Sequence, residues 1–399
     1  MIPDYYEFQH STKLISGSFA LENISAELKM LGSGHPMVLS DHVLSEIGTL
    51  AVVCDAIAAG GIAVGAVFHE IPADSSSAVV NQIAEIYRKS GCDSLVAVGG
   101  GSVLDTAKGV RMILSQRAEN IMDLLGCEIL SRGRHIPFVA VPTTSGTGSE
   151  STLVAVIKNA SDGMKMEFIS YFLQPDVTVL DVRMTASLPA KTTASTGIDA
   201  LCHAVEAYTC LQKNPLSDAY AFAAVRMIGE YLERAVENGK DREARLAMAN
   251  ASTMAGAAFS NSMVGVVHAV GHALGGVCHV PHGDAMTILL PYCMDYNMER
   301  LSEGYGELLL PLCGPEVYAA TPKEERGRAM RDQVMGLERR LHDCCGLPLT
   351  LREAGVSKKD FEAVAQAALN DGAMIVNPVQ VSKRDVLSIL ENAYGPETS

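Results

Sequence analysis

Two stretches rich in carboxylate and imidazole hold the residues best suited to chemistry in this 399-residue sequence. In Thr196-Gly-Ile-Asp199-Ala-Leu-Cys-His203-Ala-Val-Glu206, Asp199 and His203 are four residues apart, so a helix places both on one face. In His268-Ala-Val-Gly-His272-Ala-Leu-Gly-Gly-Val-Cys-His279-Val-Pro-His282-Gly, His268 and His272 share a helical face in the same way. Gly275-Gly276 is the expected end of that helix, and Pro281 the centre of a turn presenting His282. Five of the eleven histidines fall within 203–282, four of them within 268–282. One carboxylate with three imidazoles suits Fe²⁺ or Zn²⁺. Spacing alone allows several permutations and leaves two histidines over. A lone histidine in an apolar helix is more often a hydrogen-bonded core residue. Thr196 and Asp199 also have the spacing of a capping box.

A second kind of chemistry is written in glycines. Val98-Gly99-Gly100-Gly101-Ser102-Val-Leu-Asp105 follows an apolar run and opens a helical one. Three glycines let backbone amides approach a phosphate, and a helix N-terminus adds unpaired N–H groups and a positive dipole end. The same residues also read as a tight turn with an ordinary cap, Ser102 and Asp105 having capping-box spacing. Leu104 stands where the dinucleotide fingerprint has its third glycine. Pro142-Thr143-Thr144-Ser-Gly-Thr147-Gly-Ser-Glu150 is a second polar loop whose hydroxyls and amides can line the same cofactor. Asp41 ends an apolar run, where a carboxylate either accepts from ribose hydroxyls, favouring NAD over NADP, or caps the helix after it.

These loops need strands to carry them. His35–Asp41, Ile62–His69, Ser94–Val98, Ile136–Val141 and Val177–Leu180 read as strands. Residues 42–59, ended by Gly60-Gly61, together with 75–89 and 103–114, read as the helices between them. Strands separated by single helices imply a parallel sheet, with ligands gathered at its carboxyl ends. From Leu188-Pro189 onward the pattern is helical, over 196–211, 216–238, 243–260, 262–277, 323–345 and 358–370. The expected organisation is an α/β dinucleotide-binding domain with a Rossmann-like sheet over 1–187 and an all-α metal-binding, catalytic domain over 188–399, with a ligand cleft between them.

Composition narrows the classes. A balance of 31 basic to 46 acidic residues, net −15, disfavours nucleic acid as a partner. No apolar run is long enough for a membrane span, and the start lacks the pattern of a signal peptide. Ten scattered cysteines read as reduced thiols of a cytoplasmic protein, at least three in four of them small buried hydrophobes.

Taken together, GGGSVLDTAK at 99–108, PTTSGTGSE at 142–150, TGIDALCHAVEAY at 196–208, HAVGHALGGVCHVPHG at 268–283 and NPVQVSKRDVLSILENAY at 377–394 resemble the iron-containing (group III) alcohol dehydrogenase family, from about residue 5 to 397. The resemblance implies a dehydroquinate synthase-like architecture and NAD-linked interconversion of a small alcohol with its aldehyde or ketone. It implies Fe²⁺, with Zn²⁺ or another divalent ion as alternatives, on Asp199, His203, His268 and His282. It moves His272 from ligand to proton relay. It places cofactor contacts on Asp41, Gly99, Gly100, Gly101, Ser102, Asp105, Thr143, Thr144, Thr147 and Lys165, and it implies a homodimer or larger homo-oligomer. Asp74, Val270-Gly271, Ser151-Thr152 and Asp284 depart from the family pattern, which leaves the substrate undefined. A rival reading is a lyase of the dehydroquinate synthase type, which binds a phosphorylated acid and so needs more basic residues near the histidines. A second rival is a metal-lacking relative such as the maleylacetate reductases, which retention of all four ligand positions disfavours.

Overall fold

Small and β-branched residues build the sheet. The computed structural model describes residues 3–125, 130, 132–161 and 163–396; Cys127 and residues 397–399, which end the second expected domain, lie outside these. Two compact units form, Gln9–Ser187 and Leu188–Ser399, the second also taking in the segment up to Phe8. Phe8 stacks on Tyr220 with centroids 5.7 Å apart, so this segment packs with the helices and not with the sheet unit expected to hold it.

In the α/β unit the order is β1 (Lys13–Gly17), α1 (Ile24–Met30), β2 (Pro36–Leu39), α2 (His42–Glu46), α3 (Thr49–Ala59), β3 (Ala66–Phe68), α4 (Ser77–Lys89), β4 (Ser94–Gly99), α5 (Gly101–Gln116), β5 (Phe138–Pro142), β6 (Val154–Lys158), β7 (Lys165–Ile169), β8 (Val177–Asp181) and α6 (Val182–Thr185). Six strands pair in parallel in the order β1-β8-β5-β4-β2-β3. Alternate residues serve opposite faces: Leu95, Ala97, Phe138 and Ala140 join one buried cluster, and Val96, Val98, Val139 and Val141 the other.

Several local expectations give way. The helix over 42–59 is broken at Gly48, whose φ of 82° only glycine adopts freely. Of Ile62–His69 only Ala66–Phe68 pairs, at the sheet edge. The half-exposed edge strand β1 and the antiparallel hairpin β6–β7 were not among the expected strands.

The second unit is helical: α7 (Ala190–Thr209), α8 (Pro215–Glu237), α9 (Arg242–Ser260), α10 (Val266–Cys278), α11 (His282–Ala320), α12 (Arg326–Cys345), α13 (Phe361–Ala368) and α14 (Lys383–Ala393). One apolar core, including Ile198, Leu201, Ile228, Leu232, Val270, Met286 and Leu337, joins them. α10 runs through Gly275-Gly276 and stops at His279, whose φ of 59° takes the left-handed position usually given to glycine. α11 lies outside the helices read in the sequence; it contains Pro291, Pro311 and Pro315, and the chain kinks at Gly314 and carries on. Among the described residues no helix is long and apolar enough to cross a membrane. Of the nine described cysteines, all free, only Cys92, Cys202, Cys210 and Cys293 are buried, fewer than expected.

Candidate functional site

Asp199, His203 and Glu206 follow one another along one buried face of α7. His268 and His272 lie one turn apart on α10, and His282 is the first residue of α11, with Pro281 as its N-cap. Packing of α7, α10 and α11 turns three imidazoles toward one oxygen. His282 Nε2 stands 3.3 Å from Asp199 Oδ1, and His268 Nε2 and His203 Nδ1 each 3.8 Å from it. The ligand atoms of Asp199, His268 and His282 all lie within 4.8 Å of one another; His203 borders this trio with its ring between Phe259 and His268.

The donor set fits a metal ion. Asp199 Oδ1 and His268 Nε2 are buried and make no hydrogen bond to each other or to any neighbour. Bonds of about 2.1 Å in a tetrahedron place ligand atoms about 3.4 Å apart, close to the separations found here. Burial opposes the charge on Asp199, but His203 and His282 hold its carboxyl well below the usual carboxylate range. Burial likewise opposes a charged His268, yet Asp199 and Glu206 raise it to about 9, so this pocket attracts positive charge.

Two carboxylates that motif spacing did not single out complete the surroundings. Glu206 Oε2 meets His268 Nδ1 at 2.5 Å, and Asp371 Oδ2 meets His272 Nδ1 at 2.9 Å. Glu206 had a signal, its place seven residues beyond Asp199 on the same helical face; Asp371, 99 residues from His272, had none. His272 keeps 27% of its side chain exposed against 3% for His268, a difference that separates a group open to proton exchange from one sealed between Asp199 and Glu206. Neither expected capping box forms. Thr196 and Asp199 sit inside α7, with Thr196 Oγ1 donating to Thr192 O at 2.8 Å.

In the α/β unit, β4 and β5 end side by side, and Thr143 N donates to Gly99 O at 3.1 Å. Gly100 is the N-cap of α5, and Ser102 donates its hydroxyl to Ala73 O instead of capping. A Cβ on Gly100 or Gly101 would come 3.2 Å from Thr144 Cγ2 or 3.0 Å from Thr147 Cγ2, so the two polar loops touch across the glycines. Asp105 spends both oxygens inside the protein, on Ser149 Oγ at 2.6 Å and Val156 N at 3.0 Å. Lys165 is exposed, 3.5 Å from Asp74. Asp41 caps α2, Oδ1 accepting from Leu44 N at 2.9 Å. Behind the loops the buried Lys108 donates to Ser149 Oγ, Thr152 Oγ1 and Val154 O at 2.9, 2.8 and 2.6 Å.

A parallel sheet with glycine loops at its carboxyl ends, in a chain whose helical unit gathers imidazoles around a buried aspartate, has the parts of a dehydrogenase. The chain belongs to the iron-containing alcohol dehydrogenase family. Residues 11–182 match the family described as iron-containing alcohol dehydrogenase, and residues 193–394 match the Fe-containing alcohol dehydrogenase family, C-terminal. It is 34% identical over 379 residues to the NAD-dependent methanol dehydrogenase of Bacillus methanolicus, covering 95% of this chain and 97% of that one. A solved 1,3-propanediol oxidoreductase superposes with a TM-score of 0.93 at 31% identity, over 98% of this chain and 100% of the other. A sulfoacetaldehyde reductase from Bifidobacterium kashiwanohense, solved with NAD⁺, superposes at 0.86 with 26% identity, over 98% and 99%. The protein is therefore an oxidoreductase of the alcohol dehydrogenase type, which sets aside the lyase reading.

Proposed function

We propose that this oxidoreductase is NAD(H)-linked and metal-dependent, interconverting a small alcohol and its aldehyde or ketone, with Asp199, His203, His268 and His282 holding a divalent ion, Fe²⁺ by family. The observation that carries this reading is the convergence of three imidazole nitrogens on the buried Asp199 Oδ1 at 3.3–3.8 Å. When bound, the ion supplies Lewis acidity toward a hydroxyl or carbonyl oxygen, and the nicotinamide supplies the hydride acceptor.

The chain's own residues do the rest. Asp199 contributes the one negative charge among the four side chains. His272, partly exposed and fixed by Asp371 through Nδ1, passes a proton at Nε2. The amides of Gly99 to Ser102, the first turn of α5 and the hydroxyls of Thr143, Thr144 and Thr147 bind the cofactor phosphates. Asp41 keeps Oδ2 outside its cap bond for a ribose hydroxyl and repels a 2′-phosphate, favouring NAD over NADP. Lys165 would contact the cofactor's ribose. Asp105 acts indirectly, by tying α5 to Ser149 and β6. The methanol, propanediol and sulfoacetaldehyde enzymes among its relatives support a short primary alcohol or aldehyde as substrate.

The test is metal analysis of protein purified without chelators, followed by an NADH-coupled screen of short alcohols and aldehydes. Asp199→Asn is expected to lose the ion and turnover together. Normal turnover by metal-free protein would sink the reading.

A further inference from the structure

Glu206 is 6% exposed and spends both oxygens at the start of α10. Oε1 accepts from Val267 N at 2.7 Å, and Oε2 meets His268 Nδ1 at 2.5 Å. With Oε1 committed to a backbone donor, Oε2 at this distance serves as acceptor for a proton carried on Nδ1. An imidazole ligates an ion through the nitrogen that carries no proton, and the bond made by its other nitrogen sets which one that is. His268 thus presents Nε2 to Asp199 Oδ1, 3.8 Å away.

The setting is built to keep this carboxylate in place. Gly265, the N-cap of α10, leaves room for it: a Cβ there would come 3.1 Å from Glu206 Oε1 and 2.9 Å from Asn377 Oδ1. Asn377 Oδ1 accepts from Val266 N at 3.3 Å and from Asn297 Nδ2 at 3.1 Å, so the C-terminal segment clamps the same helix end. The N-terminus of the 13-residue α10 adds a favourable dipole for an anion. Beside it lies a cavity of about 10 Å³, lined among others by Glu206, Thr209, Asn297, Tyr305 and Asn377, room for about one water.

We propose that Glu206 is a positioning residue of the metal centre: it holds His268 with its proton on Nδ1 and turns Nε2 toward the ion, so that metal affinity depends on a side chain outside the ligand set. This rests on the reading of Asp199 and His268 as ion-binding residues.

Glu206→Gln in the full chain tests it. A glutamine has one oxygen for two donors, Val267 N–H and His268 Nδ1–H, so one donor faces an NH₂ group. Affinity for Zn²⁺, read by chelator competition, is expected to fall about 10- to 100-fold, with NADH binding and far-UV circular dichroism unchanged. Glu206→Asp, which keeps the carboxylate, is expected to recover part of the loss. In Zn²⁺-loaded wild-type protein, ¹⁵N-histidine spectra are expected to show His268 protonated at Nδ1 and metallated at Nε2, a readout that needs no variant to fold. Wild-type metal affinity in Glu206→Gln, an unprotonated Nδ1 in the spectra, or a loss shared equally by NADH binding and folded structure would each overturn the proposal. His268→Ala separates the two readings: if it keeps the ion the metal site itself fails, whereas if it loses the ion while Glu206→Gln keeps it, only the role of Glu206 fails.

Discussion

His272 and Asp371 form a partly buried pair, Nδ1 to Oδ2 at 2.9 Å, one helical turn from the ligand candidate His268. Burial opposes the charge on Asp371, but His272 outweighs it and holds the carboxyl below its usual range. The pair orients the imidazole and leaves Nε2 for proton exchange. His272→Ala is expected to lower kcat about 10²- to 10⁴-fold, with the ion retained and partial rescue by added imidazole. Asp371→Asn is expected to show a smaller loss in the same direction. Steady-state kinetics beside elemental analysis checks both; loss of the ion in His272→Ala would contradict the relay.

Gly283 follows His282 and lies against α7. A Cβ there would stand 2.8 Å from Ser195 O and 2.9 Å from Ser195 C, and backbone cannot swing aside as a side-chain end can. Gly283→Ala is expected to push the start of α11 away from α7 and draw His282 from Asp199, weakening ion binding. Gly276→Ala meets nothing within 4 Å and serves as the control. Its ion affinity is expected to match wild type, with a helix gain of about 0.5–1 kcal/mol. Metal titration of both proteins decides.

The three loop glycines are not equivalent. A Cβ on Gly99 would lie 2.5 Å from Val103 Cβ in the first turn of α5, whereas for one on Gly101 the nearest atoms are those of the Thr147 side chain, from 3.0 Å. Gly99→Ala is expected to cost about 1–3 kcal/mol of stability and to weaken NADH binding more than Gly101→Ala. Thermal melts and fluorescence titration with NADH measure the two effects.

Burial pushes the Lys108 ammonium down to about 8, Asp105 and Glu150 only partly offsetting it. Below that pH both folded and unfolded chains carry the charge, and the cost of burying it is present in full. Between there and the ordinary lysine value of about 10.4, the folded state gives up its proton first, the unfolded chain binds more protons, and stability rises with pH. Lys108→Met lacks this gain and leaves Val154 O the 3.3 Å bond from Thr152 Oγ1 in place of the 2.6 Å bond from Lys108. The stability difference between wild type and Lys108→Met is therefore expected to widen, in favour of wild type, from about pH 7.5 to about 9.5 in urea unfolding. A constant difference would contradict the buried charge.

The strands β2, β4, β5 and β8 were legible because their apolar runs are bounded by turns and separated by helical spacing. The faces pairing Asp199 with His203 and His268 with His272 were legible because a helix repeats every 3.6 residues. Where local signals competed, reading failed. Gly275-Gly276 looked like a stop, but α10 continues to Cys278, and α11 packs through the buried Pro291 and Pro311, residues that seldom occur inside a helix. The half-exposed β1 has little apolar pattern of its own and gains its place by pairing with β8.

Sequence alone determined the α/β-then-helical order, the two glycine and threonine loops, and a carboxylate–histidine set with several permutations. Only the tertiary structure decided which nitrogens approach Asp199 Oδ1, and that Glu206 and Asp371 each take the Nδ1 of one histidine. The reason is that periodicity fixes the face of a single helix, whereas convergence on one oxygen depends on how α7, α10 and α11 pack. That packing is set by close approaches such as Gly283 on Ser195, which no local pattern contains.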